Sequence, residues 1–220
     1  MSITSEIILF HQELPASTRL VAVSKFHPVE AIQEAYKAGQ RIFGESRVQE
    51  LCEKKPLLPQ DIEWHFIGHL QTNKIKQLVP FVSLIHGVDS LKLLKEINKE
   101  GEKVDRVVPC LLQIFVAQEE TKFGLSPEEC LELVSSKVLD TLPFVEIRGL
   151  MGMASLTENQ TQIRAEFLKL KTLFDQVKSK RNSPAFKELS MGMSEDYLLA
   201  IECGSTMVRI GSRIFGQREY

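Results

Sequence analysis

Leu20-Val21-Ala22-Val23-Ser24-Lys25-Phe26-His27 is the stretch on which the fold turns. Four apolar residues in a row, Val21 and Val23 among them β-branched, read as a strand buried on both faces, the kind found in parallel sheets covered by helices. A dinucleotide-binding open sheet would run from such a strand into a G-x-G-x-x-G turn, and Ser24-Lys25-Phe26-His27 stands there instead. Pro28 then starts a helix running toward Gly39, and a short second strand at 41–43 ends at Gly44.

Outward from this unit the pattern of strand, turn and helix repeats. Strands are predicted at 64–67, 82–86, 107–116, 144–150, 187–190 and 207–210. Between them fall a helix at 72–78 and another at 90–100, stopped by Gly101. A third opens at Ser126-Pro127-Glu128-Glu129, which reads as N-cap, first-turn Pro and capping box. Ile163, Phe167, Leu170, Phe174 and Val177 share one face of a long surface helix, and a last helix opens near Ser194 with Glu195 and Asp196 at its positive end. Eight such units in 220 residues fit a single (β/α)8 TIM barrel covering 1–220, a fold that commonly takes about 250 residues but is built with about 200. An open doubly wound sheet is the alternative.

Composition narrows the function. With 27 Lys plus Arg against 29 Asp plus Glu, the net charge of −2 supplies no field for nucleic acid or an anionic membrane. Cys52, Cys110, Cys130 and Cys203 lack C-x-x-C spacing, and no apolar secretory segment opens the chain, so a reduced, cytoplasmic setting is expected. Every apolar run is interrupted well short of the roughly 18 residues of a membrane span.

On the barrel reading Lys25 emerges at the C-terminal rim, where such folds place their sites. A partly desolvated lysine there could condense with a carbonyl into a Schiff base, although a lysine at a strand end more commonly just snorkels to water. At the other end of the chain, Gly204-Ser205-Thr206-Met207-Val208-Arg209-Ile210-Gly211-Ser212 covers the last strand and its loop, where barrels often hold phosphate. Gly211 and Ser212 suit close approach of backbone N–H groups to an anion, and Arg209 is either a fixed cation of the site or half of a structural ion pair. Ser190 and Ser194 offer hydroxyls at the neighbouring strand end; alone they would read as turn and cap residues. The first and last strands adjoin only if the sheet closes. A ligand with both an aldehyde and a phosphate would then satisfy both ends, and pyridoxal 5′-phosphate is the common cofactor of that description. His65 and His69 lack the glutamate of a zinc-binding helix and read as a strand ending in a turn, and Met151, Met153, Met191 and Met193 read first as strand-end core.

At these residues the chain resembles the YggS/PROSC family of pyridoxal phosphate homeostasis proteins nearly end to end. The resemblance is carried by Ala22-Val23-Ser24-Lys25, by Phe43-Gly44-Glu45-Ser46-Arg47-Val48-Gln49-Glu50, by WHFIGHLQTNK from Trp64 through Lys74, by Arg148-Gly149-Leu150-Met151 and by the segment 189–216. It implies an alanine racemase N-terminal-domain barrel with a Schiff base on Lys25, Arg209 against the pyridine nitrogen, and Gly211, Ser212 and the serines at 190 and 194 on phosphate. Ser46, where the family usually has Asn beside the cofactor, belongs to the site by position. Phe115 and Ala117 stand where relatives often carry Asn and Ser, while Glu119, Lys122 and Gly124 are retained.

An arginine at the ring nitrogen disfavours its protonation and weakens the ring as an electron sink. The racemases add a tyrosine from a second domain, which this chain lacks; Tyr36 and Tyr197 are predicted on helices and Tyr220 is terminal. The resulting expectation is a non-enzymatic, monomeric carrier that buffers pyridoxal phosphate or delivers it to apoenzymes. An amino-acid racemase is the alternative, and a cofactor-independent Schiff-base aldolase using Lys25 is a third reading.

Overall fold

The computed structural model describes residues 2–117 and 124–216. Eight parallel strands form one closed barrel in sequential order: β1 (Arg19–Val23), β2 (Ile42–Glu45), β3 (Glu63–Phe66), β4 (Leu84–Val88), β5 (Val108–Phe115), β6 (Val145–Met153), β7 (Glu188–Ser190) and β8 (Met207–Ile210). The seam is the β1–β8 pair, with Val21 opposite Arg209 and Ala22 opposite Ile210.

Helices cover the outside: α1 (Ile3–Glu13), α2 (Val29–Lys37), α3 (Val48–Lys54), α4 (Ile75–Leu78), α5 (Leu91–Lys103), α6 (Pro127–Ser135), α7 (Gln160–Arg181), α8 (Tyr197–Glu202) and α9 (Ser212–Phe215). The two faces of β1 show why its sequence is apolar throughout. Val21 packs inside with Leu84, Leu111, Met151 and Met207, while Leu20 and Ala22 belong to the larger core between strands and helices. Phe167, Leu170, Phe174 and Val177 of α7 enter that outer core as their spacing predicts, each fully buried apolar side chain contributing about 1.5–3 kcal/mol.

The capping box at Ser126 and Glu129 is present in both directions. Several boundaries differ from expectation: β4 lies two residues later than the predicted 82–86, β6 extends past the predicted 150 to Met153, and two helices shift. Helix α5 passes through Gly101 to Lys103, because Gly101 serves packing: a β-carbon there would lie 2.8 Å from the Arg106 carbonyl oxygen and 3.0 Å from the Phe144 side chain. Helix α8 starts at Tyr197, and the Asp196 carboxylate accepts from the Met193 N–H at 2.6 Å. The sequence reading also has no counterpart of α1, α3 or the short α9; the buried face of α1 is only Glu6, Ile7 and Phe10, and that of α3 only Val48, Leu51 and Lys54, too short a periodic signal to stand out.

Candidate functional site

Strand β1 ends at Val23, and the next three residues turn so tightly that Phe26 takes a φ of 68°. A bulky side chain in the left-handed region costs on the order of 1–2 kcal/mol, so something must hold the turn. A buried polar cluster does. Lys54, on α3, donates to the Ser24 carbonyl at 2.9 Å, to Glu45 Oε1 at 2.8 Å and to Glu50 Oε1 at 2.6 Å. The Ser24 hydroxyl donates to Glu45 Oε1 at 2.7 Å, and Glu50 Oε1 accepts the Phe26 N–H at 2.6 Å. Arg47 places its guanidinium 4.6 Å from the centre of the Phe26 ring. Glu45 and Glu50 of the 44–50 motif, joined through Lys54, therefore clamp the Lys25 turn. Burial pushes the Glu45 carboxyl above its ordinary value, against the pull of Lys54.

Lys25 opens onto a cavity of about 1100 Å³ at the C-terminal ends of the strands. Val23, Lys25 and His27 form its β1 wall; Arg209, Gly211 and Ser212 form the adjoining β8 wall. Gly211 packs closely on β1, since a β-carbon would stand 3.3 Å from the Val23 carbonyl oxygen. The first N–H groups of α9, at Ser212 and Arg213, have no preceding turn to bond, as at every helix start. Ser194 and Asp196 line the wall from the β7–α8 loop. Arg209 is buried and braced: one terminal nitrogen donates to the Ser190 carbonyl at 2.9 Å and to Ser190 Oγ at 2.6 Å, the other to the Gly152 carbonyl at 3.1 Å. Burial lowers its pKa to about 10, which leaves it charged at neutral pH.

The structure thus brings together Lys25, Ser194, Arg209, Gly211 and Ser212 on one cavity wall. Ser190 and Ser46 do not line it. Ser190 is fully buried behind Arg209, and Ser46 sits half-buried just beyond β2, its carbonyl oxygen where a β-carbon on Gly68 would fall, at 2.2 Å. Phe115 and Ala117 line the cavity on the β5–β6 side with Met153, Leu156 and Ile163, interleaved there with Gln113, Ser155, Thr157 and Glu158. Met151 and Met191 are core as expected, but Met153 and Met193 are exposed at the cavity. Gly124 adopts a φ of +123° beside β5, whereas Glu119, Lys122 and Tyr220 lie outside the described residues.

His65 and His69 diverge. His65 points into the barrel against His86, and His69 is exposed beside Asp89 at 3.3 Å. Tyr36 and Tyr197 lie on α2 and α8, their hydroxyls engaged by Asp61 and Arg213, away from the cavity wall. Sequence reasoning missed Glu45, Lys54 and His86. The Glu50 and Lys54 pair at i, i+4 and a histidine within the apolar stretch of β4 were the available signals.

Residues 3–219 match the family model described as alanine racemase, N-terminal domain. The pyridoxal phosphate homeostasis protein of Aquifex aeolicus is 44% identical over 203 residues, covering 92% of this chain and 88% of the relative, and that of Mus musculus is 42% identical over 221 residues, covering 95% and 80%. The solved structures of PipY from Synechococcus elongatus PCC7942 are 36% identical and cover 98% of this chain and all of theirs, with TM-scores of 0.90 without pyridoxal phosphate and 0.87 with it bound. Alanine racemase from E. faecalis, 18% identical with a TM-score of 0.75, shares the fold over 98% of this chain and 57% of its own length. By identity and coverage, then, the chain belongs to the pyridoxal phosphate homeostasis protein family, built on the alanine racemase N-terminal domain.

Proposed function

We propose that this protein binds pyridoxal 5′-phosphate as a Schiff base on Lys25 and acts as a non-enzymatic carrier that buffers the cofactor or delivers it to apoenzymes. The observation that carries this reading is the convergence across the β1–β8 seam of a lysine, a buried arginine and the Gly211-Ser212 backbone in one cavity. The donor set suits the cofactor: an amine for its aldehyde, a donor-only guanidinium for its ring nitrogen, and N–H and hydroxyl groups of Ser194, Gly211 and Ser212 for its phosphate. The bound pyridoxal phosphate in the PipY structure supports the same reading.

When bound, the cofactor would supply an aldehyde and an electron-accepting ring. This chain's contribution is to hold and orient it. Lys25 anchors the carbonyl carbon from a turn that the Glu45–Lys54–Glu50 cluster keeps in place. Arg209 offers only donors to the ring nitrogen, which keeps that nitrogen unprotonated and discourages carbanion chemistry. Tyr36 on α2 and Tyr197 on α8 are engaged by Asp61 and Arg213 rather than at the cavity wall. The four unpaired thiols accord with a reduced, cytoplasmic setting, and we assign the protein as a monomer there.

The test is an absorbance spectrum with added pyridoxal phosphate, then borohydride reduction and peptide mapping. A Schiff-base band with label on Lys25 is expected; no band, or label spread over surface lysines, would sink the assignment. Exchange of substrate α-protons in deuterated water, sustained over many turnovers and abolished in Lys25→Ala, would instead establish the racemase alternative.

A further inference from the structure

The bonds behind Arg209 take one direction when every buried hydrogen is to have an acceptor. A guanidinium can only donate. Ser190 Oγ therefore accepts from Arg209 at 2.6 Å and has its own hydrogen left to place. Among the described residues its one other partner is His86 Nδ1, at 3.1 Å, so Nδ1 accepts and the His86 hydrogen sits on Nε2. His86 Nε2 faces His65 Nδ1 at 3.0 Å, which makes His65 Nδ1 an acceptor in turn and puts its hydrogen on Nε2. Ser190, His86 and His65 are all essentially sealed from solvent, at 0%, 0% and 1% exposure. The chain crosses the barrel interior from β8 through β7 and β4 to β3. Burial holds both histidines neutral, His65 at about 3 and His86 well below its ordinary value, so the hydrogen positions do not change through the neutral range.

We infer that Ser190, His86 and His65 are positioning residues for Arg209: a hydrogen-bonded chain of fixed polarity that sets the guanidinium plane and aims its remaining N–H groups at the ring nitrogen of bound pyridoxal phosphate. The inference rests on the cofactor reading above. It also gives Ser190 a role other than phosphate contact. Three N–H groups of Arg209 are spent on Ser190 and Gly152, leaving the second hydrogen of that outer nitrogen and Nε–H for a ligand. Without the chain, the guanidinium is held by two backbone carbonyls alone and gains freedom to rotate away from the ring. Outer hydrogen-bond partners of this kind fix the orientation of the group that touches the ligand, as they do for metal-binding histidines.

The experiment compares purified wild type, Ser190→Ala, His86→Phe, His86→Gln and Arg209→Lys by titration with pyridoxal phosphate, reading the absorbance maximum, the affinity and the unfolding midpoint. Ser190→Ala and His86→Phe are expected to shift the maximum of the bound cofactor and to weaken binding about tenfold, in the direction of Arg209→Lys. His86→Gln should restore both readouts, because its amide oxygen can accept from Ser190 while its N–H donates to His65. If both broken-chain variants keep the wild-type maximum and affinity, with only a lowered unfolding midpoint, the positioning role is wrong while the cofactor reading stands. If wild type itself gives no band, both fail together. Should His86→Phe not fold, Ser190→Ala decides, since it removes only one oxygen.

Discussion

The Lys54 ammonium lies 2.8 Å from Glu45 Oε1, both side chains buried, beside the carbonyl of Ser24 that begins the Lys25 turn. Two charges taken out of water are tolerated here because each has several partners, and removing one leaves the other uncompensated. Lys54→Met is therefore expected to cost about 3–5 kcal/mol, read from urea unfolding. Glu45→Gln should cost less, since an amide oxygen still accepts from Ser24 and Lys54, and Glu50 remains a carboxylate partner for Lys54. A Lys54→Met protein as stable as wild type would show that the cluster is not what holds the turn.

Lys25→Ala should abolish borohydride-stable incorporation of pyridoxal phosphate while leaving weaker, reversible binding through Arg209, Ser194 and the Gly211-Ser212 backbone. Equilibrium dialysis separates the two. Undiminished covalent labelling in the variant would move the attachment site elsewhere.

Stability should fall as the pH drops below neutrality. His65 and His86 are held neutral in the folded protein, whereas in the unfolded chain each takes a proton near pH 6.5. The stability tied to their neutral forms is present above that value and is lost progressively toward about 3, at up to about 1.4 kcal/mol per pH unit for each histidine. Glu45 and Asp196, both with carboxyls raised by burial, act in the opposite sense and gain as the pH falls through their folded values. The two fully buried histidines outweigh them where their own titration begins, and the net is a lower urea midpoint at pH 5.0 than at pH 7.5. The double variant His65→Gln, His86→Gln should show a flatter dependence, and an equally steep one would assign the loss to other groups.

Gly68→Ala is expected to destabilise by about 1–3 kcal/mol or more. Its β-carbon would stand 2.2 Å from the Ser46 carbonyl oxygen, and backbone on the neighbouring strand end cannot yield as a flexible side chain could. Thermal unfolding checks this, and a midpoint within a degree of wild type would mean that the two loops move apart freely.

Much of this molecule is written in local pattern. The apolar run at 20–23, the missing glycine turn after it, the capping box at Ser126 and the single apolar face of α7 each follow from hydrogen bonding and side-chain periodicity within a few residues, and they suffice for eight strands in a sequential barrel. Lys25, Arg209, Gly211 and Ser212 were readable as candidates because they end the first and last strands.

What local pattern could not supply is who faces whom across the barrel. Ser190 and Ser194 are four residues apart and look alike in sequence, yet Ser190 ends β7 and Ser194 lies in the loop that follows, beyond Gly192 with its φ of 94°. One hydroxyl lies buried under Arg209 and the other lines the cavity. Likewise Glu45, Lys54 and Glu50 carry no local signal of a shared cluster, nor do His65 and His86, until closure of the sheet brings them onto Ser24 and Ser190. The sequence by itself determined the elements and their order, since those depend on neighbours along the chain. The tertiary structure decided the site, because buried polar groups take partners by proximity in space, and only the closed barrel sets that proximity.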